Sequence, residues 1–122
     1  MQIGTDIIEI SRIEKACRKH KRFLHRFFTK DELPANREYP GFYAHVAGKY
    51  AAKEAVAKAL GSGFRGFKWH DIEILNDNLG RPYALLKGNA LDLLKDRGFK
   101  DVIVTISHCD EYAVAFAIVK RQ

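Results

Sequence analysis

The sequence predicts a single α+β domain over residues 1–122, with an antiparallel β-sheet packed on one long central helix. Three stretches carry that prediction. "FYAHVAGKYAAKEAVAKAL" (42–60) is alanine-rich and free of proline, and Gly61 follows it where a helix C′ residue belongs. "VIVTISH" (102–108) and "YAVAFAIV" (112–119) are β-rich runs, and the "CDE" between them reads as a hairpin turn. Residues 2–10 form a third run, rich in isoleucine. A chain of 122 residues, 47% apolar and with 3 prolines, fills one hydrophobic core and is too short for two ordinary domains.

The remaining elements follow in order. Ser11 with Glu14 has the S-x-x-E form of a capping box, which predicts a helix from about Arg12. Thr29 with Glu32 repeats the signature and predicts a second, shorter helix ended by Pro34. "PANREYPG" (34–41) is a loop by composition. After the glycine-rich "LGSGFRG" (60–66), "WHDIEIL" (69–75) alternates as a strand does, "NDNLGRP" (76–82) turns, and "YALL" (83–86) returns. Asn89 is placed to cap a short helix through Leu94 that closes at Gly98.

Composition narrows the function classes. No run approaches the roughly 18 apolar residues of a membrane span. The N-terminal residues lack the basic n-region and small-residue cleavage site of a secretion signal, so the expected location is cytoplasmic. Cys17 and Cys109 are the only cysteines and are expected as free thiols. The formal charge is +6, and between Arg12 and Lys30 eight Lys/Arg face a single acid, Glu14. Arg12, Lys15, Lys19, Arg22 and Arg26 form one stripe if that helix runs unbroken, with Ile13, Cys17, Leu24 and Phe27 behind it. Such a stripe suits a negatively charged partner; few aromatics interleave with it, which argues against base stacking and hence against nucleic acid.

The chemistry-bearing residues lie elsewhere. Ala47, Ala51, Glu54, Ala55 and Lys58 share one face of the long helix, so Glu54 stands among small residues that let another element approach. Lys58, at the favourable i,i+4 spacing, is one candidate partner for it. Asp6 interrupts an apolar strand two residues after Gly4, which leaves room for a ligand or a close backbone. A carboxylate on a strand and another on a central helix can share a hard divalent cation. The glycines after Lys58, with Arg65, suit phosphate oxygens, although the order of a P-loop is absent. His108, at the hairpin, is in reach of a phosphate or hydroxyl.

Taken together, "IGTDIIEISRI", "YAAKEAVAKALGSG" and "ISH" resemble the holo-[acyl-carrier-protein] synthases, the small phosphopantetheinyl transferases, over essentially the whole chain. The resemblance implies a phosphopantetheinyl transferase-like fold and a reaction in fatty acid biosynthesis. Coenzyme A, the substrate, gives its 4′-phosphopantetheine to a serine of apo acyl carrier protein and leaves as adenosine 3′,5′-bisphosphate. It implies Asp6 and Glu54 as ligands of Mg²⁺ (or Mn²⁺), and Lys58 on the coenzyme's phosphates. Gly61, Ser62, Gly63 and His108 fall beside the nucleotide, and Lys49 stands where relatives often carry arginine, a point charge in place of a bidentate grip. Arg12, Lys19, Arg22 and Arg26 match residues that meet the acidic carrier helix, Lys19 at a position that can be arginine. Glu54 or a water at the ion is the candidate base. The family further implies a homotrimer with active sites between subunits. Two other readings of the same residues stand beside this one: a metal-dependent, nuclease-like phosphate enzyme using Asp6 and Glu54, and a basic nucleic-acid-binding module without catalysis.

Overall fold

The computed structural model describes residues 1–121 and is α+β. Strand β1 (Gln2–Glu9) leads into helix α1 (Ile10–Lys19), a short α2 (Phe23–Phe27) and the long α3 (Phe42–Ala59). A 3-10 turn at Trp69–Asp71 opens β2 (Ile72–Asn76), which returns as β3 (Pro82–Leu86). Helix α4 (Gly88–Asp96) and the hairpin β4 (Asp101–His108) and β5 (Tyr112–Lys120) complete the chain. The strands form two antiparallel sheets: three strands in the order β1-β5-β4, and the separate pair β2-β3.

Helix α3 lies against all three strands of the larger sheet. Its alanines 47, 51, 52, 55, 57 and 59 are buried, as are Ala113, Ala115 and Ala117 of β5 facing it. Small side chains on both surfaces bring helix and sheet close together. Gly4 is the extreme case: a Cβ there would stand 1.9 Å from the Ala55 carbonyl oxygen and 2.7 Å from the Ala59 nitrogen. Only glycine lets β1 cross α3 at that distance. The helix ends at Ala59 with Leu60 as its C-cap, and Gly61 takes φ of +84°, the left-handed C′ conformation its position predicts.

Four local expectations are corrected. Helix α1 starts at Ile10 with Glu9 as N-cap, so Ser11 lies inside it, and Glu14 pairs with Arg18 one turn on. The chain then extends at His20 (φ −124°, ψ 108°), which splits the basic stripe between α1 and α2. Residues 29–34 form turns rather than a helix. Glu32 does accept the Thr29 N–H at 2.7 Å, half of a capping box, but its carboxylate is drawn inward by Lys53. Asn89 lies within α4, after the N-cap Lys87, and bonds the Gly66 carbonyl.

The outer face of the larger sheet remains apolar and exposed. Ile3 and Ile7 on β1, Phe116 on β5 and Ile103 on β4 all present their side chains there. Both cysteines are free thiols. Among the described residues no helix is long and apolar enough to cross a membrane.

Candidate active site

The Gly4 crossing places Asp6 and Glu54. Asp6 follows Gly4 on the same face of β1, level with Ala115 of β5 and Ile106 of β4, and turns its side chain toward α3. Its carboxylate meets Lys58 at 3.1 Å, and the same ammonium donates to the Thr5 carbonyl at 3.0 Å. Lys58, one candidate partner for Glu54 a turn back, therefore bonds to the strand carboxylate instead. Glu54 is half-buried, and its proton affinity is raised by burial and then by the nearby Asp6 charge, with Lys58 opposing. Two carboxylates and one lysine thus converge at the crossing of strand and helix.

Tyr50, one helical turn before Glu54, belongs to the same neighbourhood. Burial, Glu54 and Asp6 push its hydroxyl pKa up while Arg12 pulls it down, so α1 reaches this site through Arg12. The Tyr50 ring stacks on Trp69 at 4.9 Å and meets Phe27 edge-on at 5.5 Å, which ties α2 to the site wall. Sequence reasoning did not single out Tyr50; its i,i+4 spacing from Glu54 was the available signal.

Lys49 and His108 occupy a different place. Together with Tyr39, His45 and Gly48 they line a cavity of about 280 Å³ beside β4. His108 ends one edge strand of the sheet while Asp6 sits on the other, with β5 between them. Lys49 and Glu54, five residues apart on α3, point about 140° apart around the helix axis. One chain therefore does not bring His108 and Lys49 to the two carboxylates. The Lys49 ammonium is buried and donates to the Glu32 carbonyl. Burial lowers its pKa to about 8, against the pull of Glu32 and with the help of Lys53. His45 is shifted down by burial, then by Lys49 and His108, so three basic groups crowd one cavity.

Gly61, Ser62 and Gly63 follow the C-terminus of α3, with the Ser62 hydroxyl bonded to the Gly63 carbonyl at 2.8 Å. Arg97 and Arg121 line the groove beside Gly61, two cations that the sequence reading passed over. Arg12 and Lys19 are exposed on α1, and Arg22 and Arg26 flank a second groove with His25 around α2. The basic surface survives as two pieces, one on α1 and one around α2.

The largest omission is Lys53. Its side chain and that of Glu32 are wholly buried as an ion pair at 2.8 Å. Burial pulls the Lys53 pKa down, and the Glu32 charge and hydrogen bond oppose that pull. In the sequence Glu32 reads as a cap and Lys53 as one more helix lysine.

Comparison with known proteins identifies the family and the fold. Residues 2–117 match the family model of the 4′-phosphopantetheinyl transferase superfamily. A holo-[acyl-carrier-protein] synthase of Alkaliphilus metalliredigens is 48% identical over 116 residues, covering 95% of each chain. The crystal structure of holo-[acyl-carrier-protein] synthase from Neisseria meningitidis superposes with a TM-score of 0.86 at 34% identity, covering 98% of this chain and 97% of that one. The Helicobacter pylori synthase in complex with coenzyme A gives 0.83 at 31% identity, covering 97% of this chain and 99% of that one. The chain belongs to the 4′-phosphopantetheinyl transferase superfamily and, within it, to the holo-[acyl-carrier-protein] synthases.

Proposed function

We propose that this chain moves 4′-phosphopantetheine from coenzyme A to a serine hydroxyl of apo acyl carrier protein, with adenosine 3′,5′-bisphosphate as the leaving product. The observation that carries the reading is the convergence of Asp6, Glu54 and Lys58 where β1 crosses α3. Family membership and a relative solved with coenzyme A support the choice of donor.

The carboxylates fit a hard divalent ion. Asp6 and Glu54 repel each other, and Lys58 offsets only part of their charge, so the pair favours an added cation. Among the described residues no third His, Cys, Asp or Glu joins them, which suits Mg²⁺ (or Mn²⁺) completing its shell with water and phosphate oxygens. When bound, the ion supplies positive charge opposite the diphosphate of the substrate. The residues of the chain do the rest by position and charge, as phosphoryl transfer requires. Lys58, fixed by the Thr5 carbonyl and Asp6, sets an ammonium against a phosphate oxygen as the bond to the leaving group breaks. Arg12, Lys19, Arg22 and Arg26 hold an acidic carrier so that its serine reaches this point.

The second basic cavity supports assembly. Lys49 and His108 face away from the carboxylates of their own chain, and the outer face of the sheet is apolar. We assign that face to contact between copies in a homotrimer, where the Lys49 cavity of one copy meets the Asp6 site of the next and encloses the nucleotide end of coenzyme A. The reaction belongs to fatty acid biosynthesis in the cytoplasm.

The test is to incubate the protein with coenzyme A, Mg²⁺ and an apo acyl carrier protein and weigh the carrier. The expected result is a mass gain of one phosphopantetheine, lost on omitting Mg²⁺. An unmodified carrier, where a control transferase modifies it, overturns the reading.

A further inference from the structure

Glu32 and Lys53 lie outside the phosphate chemistry, yet their polar atoms are more fully engaged than any within it. Lys53 Nζ donates to the carbonyls of Phe27 (2.7 Å) and Trp69 (3.1 Å) and lies 2.8 Å from Glu32 Oε2. The Glu32 carboxylate accepts the N–H of Thr29 at 2.7 Å and of Ile74 at 2.8 Å, and its own carbonyl takes the Lys49 ammonium. A relay continues outward: Thr29 Oγ1 donates to Glu73 at 2.6 Å, and Lys87 donates to the other oxygen of Glu73 at 3.0 Å.

These contacts gather on one stretch of chain. Phe27 is the last residue of α2, and Thr29 and Glu32 lie in residues 28–41, which form only turns and irregular backbone. A connection of that length inside a small domain needs ties from elsewhere to hold its backbone in place. Here the ties come from β2 and from α3, at the residue next to Glu54. Stability alone explains them poorly, because well-packed apolar residues commonly stabilise a domain as much as a buried ion pair does. What a fully satisfied pair adds is a single geometry.

We infer that Glu32 and Lys53 are positioning residues for recognition of the acidic protein substrate. They fix α2, with Arg22 and Arg26, at one distance and angle from Glu54. A partner docked on those arginines then presents its acceptor hydroxyl at the carboxylate site. Neither residue touches a substrate. The inference rests on the transferase reading for its partner, but its mechanical part is independent of any activity.

The test uses the full chain with Lys53→Met, Glu32→Gln and the two combined. The combined variant removes both charges of the pair together, so neither is stranded without the other, and it keeps a folded domain to measure even if a single variant unfolds. Native-state trypsin cleavage after Arg22 and Arg26 should quicken about tenfold in the combined variant, because the segment that follows is no longer tied. The kcat/KM for carrier protein should fall roughly tenfold, with the KM for coenzyme A within about twofold of the parent. Parent-like trypsin rates at both arginines overturn the inference. So does a KM for coenzyme A that rises in step with the loss of kcat/KM for carrier protein, which is the signature of a merely structural pair. Should the parent protein modify no carrier at all, the transferase reading fails by itself, and the trypsin arm still decides whether the pair holds α2.

Discussion

Helix α3 carries two lysine–carboxylate pairs, five residues apart, that serve opposite ends. Lys53 and Glu32 are both wholly buried, and all three ammonium protons of Lys53 have acceptors in Phe27, Trp69 and Glu32. Lys58 and Asp6 lie at the surface end of the same helix, 53% and 18% exposed. Among the described residues Lys58 has two acceptors, Thr5 and Asp6, which leaves one donor direction open to a ligand. The chemistry of the residues is the same, and saturation and burial separate them. A lysine whose donors are all used inside the protein defines geometry; one that is held by two bonds and open on the third side can meet a phosphate.

The comparison predicts opposite outcomes for two substitutions. Lys53→Ala strands the Glu32 carboxylate in the core and should cost about 3–5 kcal/mol of stability, read as a large drop in Tm or in the denaturation midpoint. Glu54→Gln should reduce the transfer rate roughly 10²–10³-fold. It should leave the Tm unchanged or raised, since the fold already disfavours the Glu54 charge through burial and Asp6. A Glu54→Gln protein that is both unfolded and inactive would erase the distinction between the two pairs.

How much of this the sequence disclosed follows from the range of each interaction. The long helix, its stop at Gly61 and the terminal hairpin were legible because periodicity and turn residues act over a few positions. Asp6 and Glu54 were legible as residues out of character with their neighbours, and Gly4 as the missing side chain that lets them meet. The break at His20 was not, since no Gly or Pro marks it and the cause is that α1 docks against α3 while α2 turns toward the 3-10 turn at Trp69–Asp71. Glu32 misled because a capping-box spacing is local, whereas the Lys53 ammonium that captures it arrives from another element. That the strands divide into two sheets also depends on pairing between distant segments, which patterns along the chain do not encode.

A smaller effect tests the approach of strand to helix. In Gly4→Ala the new Cβ would stand 1.9 Å from the Ala55 carbonyl oxygen, so β1 must retreat from α3. The cost expected for such overpacking is about 1–3 kcal/mol. Because Asp6 rides on β1 while Lys53 and Glu32 do not, transfer should fall by more than the lost stability explains, with the trypsin rate after Arg26 unchanged at temperatures where the variant stays folded. Loss of activity only in proportion to unfolded protein would show that the crossing has no special bearing on the carboxylate site.

Lys49 lies between the two kinds of lysine, and pH sorts it. It is buried like Lys53, but it also lines the cavity with His45 and His108, and burial takes its pKa from 10.5 to about 8. Below pH 8 the lysine is charged in both folded and unfolded chains, so it adds no pH dependence to stability. Between about 8 and 10.5 the unfolded chain still holds a proton that the folded one has released, so stability rises with pH. Compared with Lys49→Gln, the parent should therefore gain about 1 kcal/mol per pH unit across that window, measured by urea denaturation, the other titrations cancelling in the difference. The same loss of charge weakens any hold on phosphate. If Lys49 works as Lys58 does, the parent's KM for coenzyme A climbs as pH passes through 8, and that climb is missing in Lys49→Gln. A rise in stability with no change in KM instead groups Lys49 with Lys53, as a cation committed to the Glu32 carbonyl and to the shape of the segment it anchors.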